Sequence, residues 1–235
     1  MPASVGGMGT RYFTPDLFRF LNELADNNDR AWFKDNQDRY EESVRQPALD
    51  FITDFAAPLA KISPHFVTDS RLVGGSLFRI QRDTRFAKDK TPYKTNTGMQ
   101  FRHERAKDIH APGFYLHIEP GRCFFGAGVY RPETSVAYAV RQRIVEEPQA
   151  WTRATRGKRF AERFELTGDS LKRPPKGFDP DHRLIEDLKR KDFIATTSLT
   201  QGQVTSADFL DLVADLCRRT APTMKFICAA VGAEF

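Results

Sequence analysis

The sequence predicts an α+β fold, in which a central antiparallel sheet from about residue 70 to 130 packs against N-terminal and C-terminal helices. Three observations support this prediction. Apolar residues recur at helical spacing up to about residue 62, alternate along several segments up to residue 130, and return to helical spacing after Pro132. We expect residues 1–10 to form a flexible tail and residues 11–235 to form one domain, because no linker, repeat or low-complexity tract interrupts them.

The N-terminal third reads as three helices. Thr14 to Asp16 predicts the first start, with a capping hydroxyl, a proline at the first helical position and an acid behind it. Asn27-Asn28 predicts the end of that helix, and Asp29 can cap the next one. Pro47 predicts the start of a third helix, within which Pro58 favours a kink or an early end.

The middle third reads as an antiparallel meander. Its strand candidates are Ser76 to Arg82, Thr95 to Phe101, Phe114 to Glu119 and Cys123 to Tyr130. The polar stretch from Asp83 to Lys94 predicts a loop after the first candidate. Pro120-Gly121 predicts a turn between the last two, so one face of the sheet should be apolar.

The last third is mainly helical. The predicted helix starts are Pro132-Glu133, Pro148, Asp179-Pro180, Thr205-Ser206 and Pro222. One weakly strand-like stretch lies within residues 160–171, and Phe193 to Leu199 predicts a further strand.

Composition limits the environment and the partners. The formal net charge of +5 permits an anionic partner without requiring one. The cysteines, Cys123, Cys217 and Cys228, are three in number and contain no Cys-x-x-Cys pair, which argues against a disulfide framework or a cysteine-rich zinc site. We therefore expect a cytoplasmic protein, with no membrane span and no resident metal, whereas its cofactors and oligomeric state stay open.

The segment from Leu77 to Arg102 contains the most distinctive pattern. Between Arg79 and Lys94 it holds six basic residues and only two acidic ones, Asp83 and Asp89. We call residues 79–94 the basic motif. Its predicted ligand-binding residues are Arg79, Arg82, Arg85, Lys88, Lys90, Tyr93 and Lys94.

Around this motif the chain resembles an uncharacterised family of bacterial and fungal proteins, a domain of unknown function. Phe78-Arg79-Ile80, then Arg82 to Phe86, Lys88 to Lys90 and Pro92 to Lys94 closely resemble the family signature, FRIxRDxRFxKDKxPYK. The resemblance extends from about Phe13 to the C-terminus. Its supporting segments are Asn27-Asn28, Trp32-Phe33, Tyr40, Tyr115 to Gly121, Gly126 to Tyr130, Pro175 to Phe178, Asp181-His182 and Leu188-Lys189. The resemblance implies no reaction and assigns no catalytic residue.

Two interpretations of the basic motif stay open. Arginine offers a planar fork and lysine a mobile point charge, so several convergent cations would form a binding pocket for phosphate or carboxylate. Alternatively the motif is a structural loop, in which Asp83 pairs with Arg82 or Arg85, and Asp89 pairs with Lys88 or Lys90. Pairing within the loop leaves an excess of four cations, which favours the anion site.

Tyr115, His117 and Glu119 are the second candidate cluster. Period-two geometry places all three on one face of a strand, where His117 and Glu119 can act as an acid–base pair, and Asp83 is a further catalytic candidate. A metal would need a third ligand from elsewhere, such as Asp83, His103 or His110. The simpler alternative is an exposed polar strand face. If this strand neighbours that of Arg79, then Arg79, Gln81, His117 and Glu119 should share a face.

These patterns leave three functional classes. The best supported is a pocket for a small phosphorylated or carboxylated ligand, built on the basic motif and with catalysis undecided. The alternatives are a nucleic-acid-binding module, for which net charge and a second basic loop (Lys172, Arg173 and Lys176) argue, and a structural or protein-interaction domain. The sequence contains no P-loop, no Rossmann glycine pattern and no Gly-x-Ser-x-Gly elbow.

Overall fold

The computed structural model describes residues 9–105 and 111–235 of the chain. Most of the expected tail, residues 1–8, therefore lies outside the described residues. The architecture is α+β, as predicted: one antiparallel sheet with helices from both ends of the chain.

The N-terminal helices are α1 (Pro15–Asp26), α2 (Arg30–Asp35), α3 (Gln37–Tyr40) and α4 (Gln46–Ile62), with a π-helical turn at Glu41–Arg45 between the last two. The predicted caps are present: the Thr14 side chain accepts a hydrogen bond from the Asp16 N–H, and Asp29 accepts from Ala31 and Trp32. Pro58 lies inside α4, which continues past it, so the early end is not observed.

Within the described residues the sheet has six strands. They are β1 (Phe66–Val67), β2 (Thr97–His103), β3 (Gly113–Ile118), β4 (Cys123–Val129), β5 (Glu165–Thr167) and β6 (Phe193–Leu199), in the spatial order β1-β2-β3-β4-β6-β5. The predicted strands thus agree closely with β2, β3, β4 and β6.

One strand prediction is wrong. Ser76 to Arg82 is extended but forms only isolated bridges, Leu77 with Met99 and Gln81 with Tyr93. It lies along the edge of β2 that β1 leaves free, because β1 pairs only with Arg102 and His103. An alternating pattern predicts which side chains are buried, but it does not predict whether the hydrogen bonds of a strand are continuous. The sequence therefore could not show that this segment forms only isolated bridges.

The C-terminal helices are α5 (Thr134–Glu146), α6 (Pro148–Arg156), α7 (Lys158–Ala161), α8 (Ile185–Leu188), α9 (Gln201–Val204) and α10 (Phe209–Ala230). Two predictions need correction here. Pro222 lies inside α10 and does not begin a helix, and Asp179-Pro180 precedes a series of turns, with helix only from Ile185. Both segments contain residues that favour the first turn of a helix, but packing of the surrounding chain overrides that preference.

The two faces of the sheet differ sharply. Met99, Phe101, Phe114, Leu116 and Phe125 point to the side where the main apolar core lies, with residues of α1, α4 and α10. The opposite face carries Gly98 and Gln100 of β2, Tyr115 and His117 of β3, and Phe124 and Gly126 of β4. We call this second surface the polar face. Among the described residues α10 is the longest helix. Neither α10 nor any other described helix is both long and apolar enough to cross a bilayer.

Candidate functional site

The basic motif begins and ends on the edge of the sheet. Phe78 donates its backbone N–H to the Gly98 carbonyl at 2.9 Å, Lys94 donates to Ile80 at 2.8 Å, and Arg82 donates to Pro92 at 2.8 Å. Residues 76–82 and 92–100 therefore run antiparallel, and residues 83–91 form a loop at their end. The two cations closest to the sheet are Arg79 and Lys94.

The N-terminal helices hold the base of the motif. The Asn28 side chain accepts from the Tyr93 N–H and donates to the Tyr93 carbonyl, both at 3.0 Å. The Tyr93 ring stacks on Phe33 with centroids 4.1 Å apart, and Phe33 in turn contacts Tyr40. Asn28, Phe33 and Tyr40, which carry part of the family resemblance, thus position the motif. Tyr93, a predicted ligand-binding residue, has its ring half-buried in this contact.

The loop is braced by its own charges. Arg85 pairs with Asp83 at 2.7 Å and Arg82 pairs with Asp89 and Thr91, so the structural alternative named one of these partners correctly and missed the other. The Arg85 guanidinium lowers the pKa of Asp83 to about 2. The Thr91 N–H, followed by Arg82, lowers the pKa of Asp89 to about 2.

The other two cations of the loop, Lys88 and Lys90, are exposed. Lys90 donates to the Thr84 carbonyl at 2.8 Å. Phe86, at the tip, is 96% exposed, which the sequence did not suggest. The contacts of Asp83 are with Arg85, so nothing on the described chain joins this catalytic candidate to His117 or Glu119.

Lys94 is one of the two half-buried cations of the motif, the other being Arg82. The Lys94 ammonium donates to the Arg79 carbonyl at 2.6 Å and lies 5.7 Å from the centroid of the Phe78 ring. Burial, and then the charge of Arg79, lower the pKa of Lys94. Within residues 9–105 and 111–235, no carboxylate forms an ion pair within 4.0 Å of Arg79 or Lys94.

Tyr115, His117 and Glu119 form a hydrogen-bonded series along β3. The Tyr115 hydroxyl lies 3.1 Å from Nδ1 of His117, and Nε2 of His117 lies 3.0 Å from the Glu119 carboxylate. Glu119 begins a turn through Pro120 and Gly121, closed by the Arg122 N–H on the Glu119 carbonyl at 3.0 Å. Gly121 has a φ of +75°, which a type II turn requires at that position.

The neighbours of His117 define its proton positions. Burial, reinforced by Glu119, raises the pKa of Tyr115 to about 12, so its hydroxyl is protonated and can donate to Nδ1. The Asn96 amide nitrogen is a second donor, 3.5 Å from the same atom. With two donors at Nδ1, the proton of neutral His117 resides on Nε2 and is donated to Glu119. The carboxylate thereby orients the imidazole, as in histidine–carboxylate pairs that move protons.

Phe78 connects the motif to this series. Its ring centroid lies 5.8 Å from that of Tyr115, on the side opposite Phe124, which stacks on His117 at 4.7 Å. Gly98 leaves room for the Tyr115 hydroxyl, since a Cβ there would lie 2.7 Å from that oxygen. The condition for a strand face shared by Arg79, Gln81, His117 and Glu119 is not met, because β2 lies between the Arg79 segment and β3.

The candidate metal ligands do not assemble. His103 contacts the Glu234 carbonyl at 2.8 Å and stacks on His65, and Asp83 belongs to the loop, whereas His110 lies outside the described residues. In the part of the chain that the structure describes, no three His, Cys, Asp or Glu side chains form a group that could hold a metal ion.

Sequence reasoning did not identify three residues that contact the Tyr115–His117–Glu119 series. They are Asn96, Phe78, which lies beside Tyr115, and Phe124. Their positions depend on the register between β2, β3 and β4, which places Gly98 and Phe124 opposite His117. The one available signal was the glycine content of the neighbouring strands, since Gly98 and Gly126 leave space over the polar face.

Comparison with known proteins agrees with the resemblance seen in the motif. No curated protein matches the chain. A family model described as "Conserved hypothetical protein (DUF2461)" matches residues 16–226, which includes the basic motif, the Tyr115–Glu119 series and most of α10. The chain therefore belongs to the DUF2461 family of conserved hypothetical proteins.

Proposed function

We propose that this protein binds a small phosphorylated or carboxylated ligand at the base of the basic motif, between Lys94 and Arg79 and the adjoining polar face. The observation that carries the proposal is the pair of uncompensated cations. Lys94 is half-buried beside Arg79, and its pKa is lowered by burial and then by the charge of Arg79. No described carboxylate forms an ion pair with either residue.

An anion at this position would relieve an unfavourable arrangement. Burial of a charge without a partner costs free energy, and a second cation of the same sign adds to that cost. A bound phosphate or carboxylate would offset both effects and would raise the pKa of Lys94 again. The remaining cations, Arg82, Arg85, Lys88 and Lys90, would act from the loop as an outer set that attracts the ligand.

The Tyr115–His117–Glu119 series supplies the chemistry next to this anion site. The Tyr115 hydroxyl can pass its proton to Nδ1 of His117 while its oxygen takes a proton from a ligand, and Glu119 stabilises the positive charge that the imidazole gains. In this arrangement Tyr115 contacts the ligand, and His117 and Glu119 act behind it. Asp83 takes no part in the proposed proton path.

We further propose a cytoplasmic location. The three cysteines are buried and free, and burial raises the pKa of Cys123, Cys217 and Cys228. Buried thiols of this kind are stable in a reducing compartment, where no disulfide is needed.

A thermal-shift screen tests the ligand class. The probes are inorganic phosphate, a nucleoside monophosphate, a sugar phosphate, acetate and citrate. We expect at least one to raise the melting temperature of the wild-type chain, and we expect Lys94→Ala to abolish that response.

Lys88→Ala is the matched control, because it removes one exposed cation from the same motif. It should keep the response with a modest loss of affinity. If Lys94→Ala and Lys88→Ala respond like the wild type to every probe, the site at the base of the motif does not exist.

A further inference from the structure

A second basic surface lies far from the motif in the sequence, along the outer side of α10. A cavity of about 620 Å³ separates α10 from α6 and α7, and a second of about 560 Å³ continues from it. They share Arg153 and Pro222 as walls. A third cavity, of about 520 Å³, lies between α10 and α4 and shares Arg218 with the first and Lys225 with the second. We call this continuous surface the α10 groove.

The charge of the whole chain is concentrated there. Eight basic and two acidic side chains line the three cavities, a net charge of +6, whereas the chain as a whole carries +5. Arg219 pairs with Asp215 at 2.6 Å, and Arg143 pairs with Glu147 at 3.0 Å. The other six cations form no ion pair among the described residues: Lys61, Arg153, Lys158, Arg159, Arg218 and Lys225.

The shape of the groove selects the partner. Its floor is apolar and shallow, formed by Ala154, Pro222 and Ala229. Of its aromatic residues, Phe160 and Phe226 are only 5% and 6% exposed, and Phe235 is partly exposed, with the Lys225 ammonium 5.5 Å from its ring centroid. Single-stranded nucleic acids are bound by stacking successive bases on exposed aromatic rings, and the described walls of the groove offer a single partly exposed ring, Phe235, and no series of rings. The cations at the rim instead match the evenly spaced phosphates of a nucleic-acid duplex, in which the bases are stacked inside the helix.

The length of the groove agrees with this partner. From Asp211 to Ala229 the helix rises about 27 Å, at about 1.5 Å per residue. Duplex DNA spans about eight base pairs over that length, with one phosphate charge per about 1.7 Å of its axis. We propose that the α10 groove binds the phosphate backbone of a double-stranded nucleic acid without reading its sequence. The proposal does not depend on the small-anion site, which uses other residues.

The test is fluorescence anisotropy with labelled duplexes of about 16 base pairs, twice the span of the groove. Duplex DNA, duplex RNA, single strands and polyglutamate are compared over a range of salt concentrations. For wild type we expect duplex affinity to fall with salt at a slope of about −5 if all six cations contact phosphates, since each contributes about −0.9.

The groove variant is Arg153→Ala/Arg218→Ala/Lys225→Ala. It should bind the duplex at least about ten-fold more weakly, with a slope closer to zero by about 3, one step of about 0.9 for each lost contact. These three side chains are exposed, so the fold should persist. The matched control is Lys172→Ala/Arg173→Ala/Lys176→Ala, which removes three exposed cations elsewhere and should bind like wild type.

Equal losses in both triple variants would show that only total charge matters and would overturn the proposal. So would wild-type affinity in the groove variant, tighter binding of a single strand, or tighter binding of polyglutamate. If the groove triple unfolds, Arg153→Ala and Arg218→Ala are measured singly, and each must still reduce the salt slope by about 0.9.

Discussion

Gly98→Ala tests whether the Tyr115 hydroxyl lies over β2 as described. An added Cβ would lie 2.7 Å from the Tyr115 hydroxyl oxygen, 3.2 Å from Cδ2 of Phe78 and 3.3 Å from Cε2 of Tyr115. Gly98 does not have the positive φ that favours glycine, so these contacts alone oppose alanine. The hydroxyl must therefore move, and its hydrogen bond to His117 must weaken or break.

The expected cost follows from three terms. Overpacking costs about 1–3 kcal/mol, and loss of a neutral hydrogen bond costs about 0.5–1.5 kcal/mol. Replacing glycine by alanine in a strand offsets about 0.5–1 kcal/mol of this. We expect Gly98→Ala to lower the free energy of unfolding by about 1–3 kcal/mol. In a Tyr115→Phe background the 2.7 Å contact is absent, so the same change should cost about 1 kcal/mol less.

Urea unfolding of the wild type, the two single variants and the double variant measures this coupling. Gly126→Ala is the matched control on the same face, because its Cβ would meet only Thr196 at 3.9 Å and Ala195 at 4.0 Å. With no close contact to oppose it, this change should raise the free energy of unfolding by about 0.5–1 kcal/mol. If Gly98→Ala costs the same with Tyr and with Phe at position 115, the hydroxyl is not where the structure places it.

Two further predictions concern the supports of the site. Asn28→Ala removes both hydrogen bonds to the Tyr93 backbone and should cost about 1–3 kcal/mol in urea unfolding; a neutral result would mean that Asn28 does not hold the motif. The pKa of Tyr115 is raised from 10.0 to about 12, so its contribution to stability is present below pH 10 and is lost as the pH rises to about 12. The free energy of unfolding should therefore fall less steeply over that range in Tyr115→Phe, although Tyr12 and Tyr40, also raised to about 12, keep part of the slope; identical slopes would contradict the assignment.

Local signals predicted the sheet well. Alternation and turn residues define β3 and β4 to within one residue, and Pro120-Gly121 forms the turn between them. The failures are at places where long-range packing decides. Residues 76–82 form bridges because β2 has a free edge, and Pro222 is accommodated within α10 because that helix packs against several elements.

The candidate site was predictable only in part. Period two placed Tyr115, His117 and Glu119 on one face, and the structure joins them by hydrogen bonds. The approach of Phe78 to Tyr115 depends on register across β2, which no local pattern encodes. The α10 groove lay beyond sequence reasoning, because cations of five separate helices form one surface only after those helices pack together.

The central claim is that Lys94 binds an anion next to the Tyr115–His117–Glu119 series. An NMR titration tests this claim most directly. Inorganic phosphate and acetate are added separately to wild type, Lys88→Ala and Lys94→Ala, and the ring signals of the five histidines are followed. We predict that one of these anions shifts the His117 ring signals saturably in wild type and Lys88→Ala, together with the Lys94 side-chain signals. Neither anion should shift the His117 signals in Lys94→Ala. Unchanged His117 signals in the wild type, or an equal shift in Lys94→Ala, would contradict the claim.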